Sequence, residues 1–272
     1  MKLKIGISPC PNDTFIFDGI YNKIINLKGY EFEFILEDVQ TLNELALKGD
    51  IDIIKISYAH YFNVMNDYIL LRCGSALGKG VGPLLIAKSD IPLSEINNQS
   101  IAIPGIHTTA NFLFSYAFPD ATNKSPMVFS EIENAVKNGT KDVGVIIHEN
   151  RFTYQEKGLH KLMDLGNYWE QKTQLPIPLG GIAIKRNLAT AIQQDINNIL
   201  HESLLLSRKN YPALGEFVTC HAQEMSQDVM KQHIDLYVND YSLDIGTDGQ
   251  LAVEKMQSTL GNQSTLPLFI EL

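Results

Sequence analysis

Hydrophobic residues recur at every second position in Leu3, Ile5 and Ile7, the period of a half-buried strand. The run is cut by Ser8-Pro9-Cys10-Pro11-Asn12-Asp13, where two prolines and an Asn-Asp pair enforce a turn. Phe17, Ile20 and Ile24 then return at helical spacing, with Asn12 or Asp13 placed to cap the helix start. Phe32, Phe34 and Leu36 alternate again, and Thr41-Leu42-Asn43-Glu44 has the pattern of a capping box opening a helix that closes near Gly49. Ile51, Ile53, Ile54 and Ile56 predict a third strand. Strands separated by single helices point to parallel βαβ units, so the fold class is α/β.

The alternation restarts near residue 100. Ile101-Ala102-Ile103-Pro104-Gly105 predicts a strand and turn, and Thr108 or Thr109 caps the helix that follows. Ser130-Glu131-Ile132-Glu133 is a second capping-box pattern, and Val143-Gly144-Val145-Ile146-Ile147 is a short buried strand delivering His148 at its carboxyl end. From about residue 189 the pattern is helical, over 189–208, 213–222, 226–239 and 248–260. Pro83-Leu84-Leu85-Ile86-Ala87-Lys88 and Gly180-Gly181-Ile182-Ala183-Ile184-Lys185 are similar strand-like segments. Read as crossovers, they divide the chain into one lobe of residues 1–88 plus 185–272 and another of residues 89–184. Two α/β lobes joined in this way leave a ligand cleft between them. A single doubly wound domain fits the same pattern.

Composition narrows the partners. The 272 residues carry 22 Lys+Arg against 31 Asp+Glu, a formal charge of −9, so no basic footprint for nucleic acid or an anionic membrane exists. The three cysteines, Cys10, Cys73 and Cys220, form no CxxC pair. No apolar segment matches a signal peptide or a membrane span, and the expectation is a reduced, cytoplasmic protein. Gly74-Ser75-Ala76-Leu77-Gly78-Lys79 is one residue short of a P-loop, and Gly80 stands where Ser or Thr is required. His148-Glu149 is not part of a zincin motif, and no GxSxG or early GxGxxG occurs. A metal-dependent or nucleotide-dependent enzyme is not expected.

Candidate chemistry therefore rests on helix starts and strand ends. Helix N-termini present unpaired backbone N–H groups to an anion, and the turns at Asn12–Thr14 and Thr108–Ala110 each follow the first strand of a lobe. Either they hold a carboxylate or they are ordinary caps. Ser57 ends the third strand, as a site residue or as a cap for the helix after it. His148 serves either as a general base or as a satisfied structural imidazole. Cys10, between prolines and with no evident base, reads as a packed thiol.

The block Ser8-Pro9-Cys10-Pro11-Asn12-Asp13-Thr14-Phe15 resembles the signature of the 1,4-dihydroxy-6-naphthoate synthase family of the futalosine route to menaquinone. The resemblance runs on through Gly82–Lys88, Ile101–Gly105 with Thr108-Thr109-Ala110, Gly144–Glu149 and Leu175–Gly181. It implies a periplasmic-binding-protein-like fold of type II, and cleavage of cyclic dehypoxanthine futalosine to 1,4-dihydroxy-6-naphthoate and a three-carbon fragment without a cofactor. It further implies His148 as the base, with Lys55, Ile56, Ser57, Thr109 and Ala110 contacting a small carboxylate substrate. Phe152 and Tyr154 resemble the family's residues after the histidine. Two alternatives are a chorismate dehydratase of the same pathway and a non-catalytic cytoplasmic binding protein.

Overall fold

The computed structural model describes residues 1–222 and 226–271, and its contacts fall into two units, Met1–Gly78 with Pro178–Leu272, and Lys79–Ile177. In chain order the first unit opens with β1 (Lys2–Ile7), α1 (Pro11–Tyr21), β2 (Glu31–Leu36), α2 (Val39–Lys48), β3 (Ile53–Ser57), α3 (Tyr58–Val64), β4 (Tyr68–Leu70) and β5 (Ala76–Gly78). The second unit holds β6 (Leu84–Ala87), β7 (Ile101–Ile103), α4 (Thr109–Ala117), β8 (Lys124–Pro126), α5 (Ile132–Lys137), β9 (Val143–Ile146), α6 (Asn150–Thr153), β10 (His160–Asp164) and α7 (Leu165–Thr173). The chain returns through β11 (Ile177–Lys185) to α8 (Thr190–Asn210), α9 (Glu216–His221), α10 (Gln227–Tyr237), α11 (Asp240–Leu243) and α12 (Gly246–Thr259).

The sheet of the first unit has the order β2-β1-β3-β11-β4, with β5 on β11. β1 runs parallel to β2 and β3, as the βαβ pattern requires, whereas β11 is antiparallel to β3 and β4. Leu3, Ile5 and Ile7 bury one face of β1 in a cluster with Phe15, Phe17, Leu200 and Leu204. The C-terminal helices α8, α9 and α10 all pack on α1. The α1–α8 contact is close because residue 19 is glycine: a Cβ there would lie 2.9 Å from Ser203 Oγ. That hydroxyl accepts from Gly19 N and donates to Ile16 O, tying the two helices together.

The sheet of the second unit has the order β10-β6-β9-β7-β8, with β7 parallel to β8 and β9 and β6 antiparallel to β9 and β10. Its core gathers Leu84, Ile86, Ala102, Ile132, Val136 and Ile146. Trp169 is buried, donates through Nε1 to Pro176 O at 3.1 Å, and meets Phe112 and Tyr116 edge-on. Before β6, Gly82 and Gly166 meet backbone to backbone: a Cβ on Gly82 would lie 2.4 Å from Gly166 Cα.

The unit boundaries fall at 78/79 and 177/178, ahead of the 88/89 and 184/185 positions expected from the two strand-like segments. Each segment belongs wholly to one sheet: Leu84–Ala87 pairs with β9 and β10, and Gly180–Ile184 pairs with β3. The crossings therefore precede these strands. Helix α1 also starts earlier than expected, with Cys10 at the N-cap position and Pro11 in the first turn. Proline's fixed φ and missing N–H suit that first turn, which releases Asn12 and Asp13 from capping.

Candidate active site

In the first unit, parallel β1 and β3 lie side by side and bring their carboxyl ends to one sheet edge. β1 delivers Ser8 and the start of α1 there, and β3 delivers Lys55, Ile56 and Ser57. Asp13 is fully buried within the first turn of α1, and its carboxylate turns back toward β1. Oδ2 accepts from Ser8 N at 3.2 Å and Ser8 Oγ at 2.6 Å, while Oδ1 accepts from Asn12 Nδ2 at 2.8 Å and Lys55 Nζ at 2.7 Å. Lys55 and Asp13 thus form a buried ion pair. An ammonium carries three hydrogens, so this contact leaves Lys55 further donor capacity.

Ser57 occupies the N-cap position of α3 but makes no side-chain cap. It is instead clamped by Asn43, whose Nδ2 donates to Ser57 Oγ at 2.9 Å and whose Oδ1 accepts from Ser57 N at 3.0 Å. With Oγ already accepting, the Ser57 hydroxyl hydrogen is the group left to offer a ligand. Asn43 is held in turn by its carbonyl, 2.9 Å from His60 Nε2. Next along the chain, Tyr58 shares a 2.7 Å hydrogen bond with Ser75, and burial pushes its phenol up, so it stays neutral. Ile56 is fully buried in β3.

Sequence pattern places Asn43 inside a capping box, and the structure corrects this. Asp38 caps α2 by accepting from Gln40 N and Thr41 N, which starts the helix at Val39 and puts Asn43 on its buried face beside Leu42 and Ala46. An asparagine on the apolar side of an amphipathic helix was the available signal. The Asp13–Lys55 pair had no such signal, because its members lie on different elements.

In the second unit, β7 and β9 are likewise parallel neighbours. β7 leads through Gly105 into α4, which begins at Thr109 and Ala110. Thr108 is the cap: its Oγ1 accepts from Asn111 N at 3.2 Å and donates to Gly105 O at 2.8 Å. Thr109 is therefore relieved of capping, and the first N–H groups of α4 start at this edge. β9 ends at Ile146, and His148 follows with φ of 56°, a left-handed conformation uncommon outside glycine. Its ring meets Phe129 edge-on with centroids 5.0 Å apart. Strain of this kind at the end of a strand is a mark of functional positions. The Ser130 capping box does not form; a single 3₁₀ turn at Phe129–Glu131 precedes α5. Phe152 lies in α6, and Tyr154 follows it and packs in the core of this unit.

Two α/β units, in each of which parallel strands deliver helix starts and polar side chains to one edge, define the periplasmic-binding-protein class of fold. The ligand-binding component of an ABC-type import system from Staphylococcus aureus has this fold with a TM-score of 0.72 at 15% identity, covering 100% of this chain and 96% of that one. A protein from Archaeoglobus fulgidus is nearer, with a TM-score of 0.89 at 30% identity over 96% of this chain and 98% of that one. Residues 3–261 match the family described as menaquinone biosynthesis, and the chain belongs to it. Two curated relatives carry the name 1,4-dihydroxy-6-naphthoate synthase. The Thermus thermophilus protein is 38% identical over 98% of this chain and 99% of its own length. The Streptomyces coelicolor protein is 37% identical over 97% and 95% respectively.

Proposed function

We propose that this chain is a 1,4-dihydroxy-6-naphthoate synthase, a carbon–carbon lyase that splits cyclic dehypoxanthine futalosine into 1,4-dihydroxy-6-naphthoate and a three-carbon fragment. The observation that carries this reading is the 37–38% identity, across nearly the whole of each chain, to two proteins of that name. The reaction removes a proton from carbon and ends in an aromatic ring. It calls for one well-placed base and groups to hold a carboxylate, with no external electron acceptor.

His148 is the base in this proposal. Its place just past β9, in a backbone conformation that costs energy to hold, supports the assignment. The start of α4 at Thr109 and Ala110 holds the substrate carboxylate, where helix N–H groups and partial positive charge favour an anion. Ser57 supports binding as the clamped hydroxyl donor, with Lys55 and Ile56 beside it on β3. No helix among the described residues is long and apolar enough to cross a membrane, in keeping with action on a water-soluble substrate in the cytoplasm.

The test offers cyclic dehypoxanthine futalosine and chorismate separately to the purified chain, with products resolved by chromatography and mass. Consumption of the futalosine derivative with release of the naphthoate supports the reading. Consumption of chorismate alone overturns it in favour of a dehydratase.

A further inference from the structure

We infer that Asn12 is a substrate-contact residue, whose side-chain oxygen accepts a hydrogen bond from a hydroxyl on the sugar-derived portion of the substrate. The inference rests on the synthase reading above and extends it to a residue outside the set proposed there.

The orientation of the Asn12 amide is fixed by its neighbour. Asp13 Oδ1 receives Asn12 Nδ2 at 2.8 Å while also facing Lys55 Nζ at 2.7 Å. A carboxylate paired with an ammonium only accepts hydrogen bonds, so the amide must present its NH₂ to Asp13. The other end, Oδ1, is therefore committed as an acceptor. That oxygen is buried, within a residue only 5% exposed, and receives no hydrogen bond from any described residue. Buried acceptors are almost always satisfied, and one left without a donor in a native protein calls for an explanation.

Its location supplies one. Asn12 stands in the first turn of α1, directly after β1, and β1 is the parallel neighbour of β3, which ends at Ser57. Two neighbouring parallel strands thus lead to a hydroxyl donor at Ser57 and to an amide oxygen at Asn12 that is committed as an acceptor. A carboxylate has no hydrogen for Asn12 and is repelled by the partial negative charge of its oxygen. The matching group is an alcohol. A nucleoside that has lost its purine base still carries sugar hydroxyls on its non-aromatic portion, and these fit an acceptor that the carboxylate group does not. In this arrangement Asp13 is a positioning residue, acting through Asn12, and Lys55 holds the Asp13 carboxylate in place at 2.7 Å.

The test is steady-state turnover of cyclic dehypoxanthine futalosine by the parent, Asn12→Ala and Asn12→Ser, with thermal unfolding as the folding control and the affinity of 1,4-dihydroxy-6-naphthoate measured alongside. The serine variant serves if alanine costs the fold. Loss of one neutral hydrogen bond predicts a KM raised about 3- to 10-fold, with naphthoate affinity unchanged. A folded variant with parental KM overturns the inference. So does an equal loss of substrate and naphthoate affinity, which would put the contact on the ring. If the parent itself does not consume the futalosine derivative, the synthase reading falls first and the inference falls with it.

Discussion

Replacing Lys55 by methionine isolates the buried charge pair that organises the first unit's sheet edge. Side-chain exposure is 8% for Lys55 and 1% for Asp13, and their charged atoms are 2.7 Å apart, so neither charge has water as a substitute partner. Methionine keeps the length and apolar stem of lysine but leaves Asp13 with only the Ser8 and Asn12 donors. Removing one member of such a pair costs about 3–5 kcal/mol, chiefly because the other charge stays buried and uncompensated. At about 2–4 °C per kcal/mol for a chain approaching this size, the melting temperature should fall by about 6–20 °C. Asp13→Asn should cost a similar amount by stranding the ammonium. The double variant should be less destabilised than the sum of the two, because neighbouring partners couple by about 0.5–3 kcal/mol. Melting curves of all four proteins, followed by circular dichroism, give the cycle directly. A Lys55→Met protein melting within about 2 °C of the parent, or strict additivity in the double variant, would refute the argument that this pair holds the edge together.

Three further outcomes follow from the same contacts. Thr109→Val should weaken substrate binding by about 10-fold or more, because a hydrogen bond to a charged group is worth about 1.5–3 kcal/mol; unchanged KM in the folded variant would assign Thr109 to structure alone. A thiol reagent should label Cys220 in the native protein and all three cysteines after unfolding, because Cys10 and Cys73 are buried and burial pushes the Cys73 thiol up, keeping it protonated and unreactive. Gly82→Ala should destabilise the second unit by about 1–3 kcal/mol in urea melts, since its new Cβ meets the Gly166 backbone at 2.4 Å, and backbone cannot move aside as the nearby Ile177 side-chain end can.

How far these features were legible in the sequence depends on how local their causes are. Alternation in Leu3, Ile5 and Ile7, and the helical run after Pro11, are properties of neighbouring residues, and the structure has β1 and α1 there. The long C-terminal helices are equally visible, though not the fact that three of them pack on α1. The antiparallel course of β6 and β11 was not legible, because a short apolar run carries no sign of its direction. That ambiguity moved the expected unit boundaries by several residues. Capping patterns misled where a competing residue lay just upstream: Pro11 pre-empted Asn12 and Asp13, and Asp38 pre-empted Thr41. The side chains so released, Asp13 and Asn43, are the ones that hold Lys55 and Ser57. Lys55, Ser57, Thr109 and His148 stood out as candidates through strand ends, helix starts and family resemblance. Their supporting residues did not, because a contact between elements leaves no spacing to detect.

The central claim is tested most directly by the turnover of cyclic dehypoxanthine futalosine by His148→Asn across pH, beside the parent. Asparagine suits the test because it tolerates the left-handed backbone at this position, φ of 56°, better than most residues, and it cannot accept the proton. The account predicts a folded variant with kcat lowered by about 10²–10⁴, the usual range for loss of a general base. It also predicts that the parental fall in rate toward acid pH, where imidazole is protonated, is absent from the variant's residual activity. A stable His148→Asn protein that retains more than about a tenth of the parental kcat, with the acid limb intact, would contradict it.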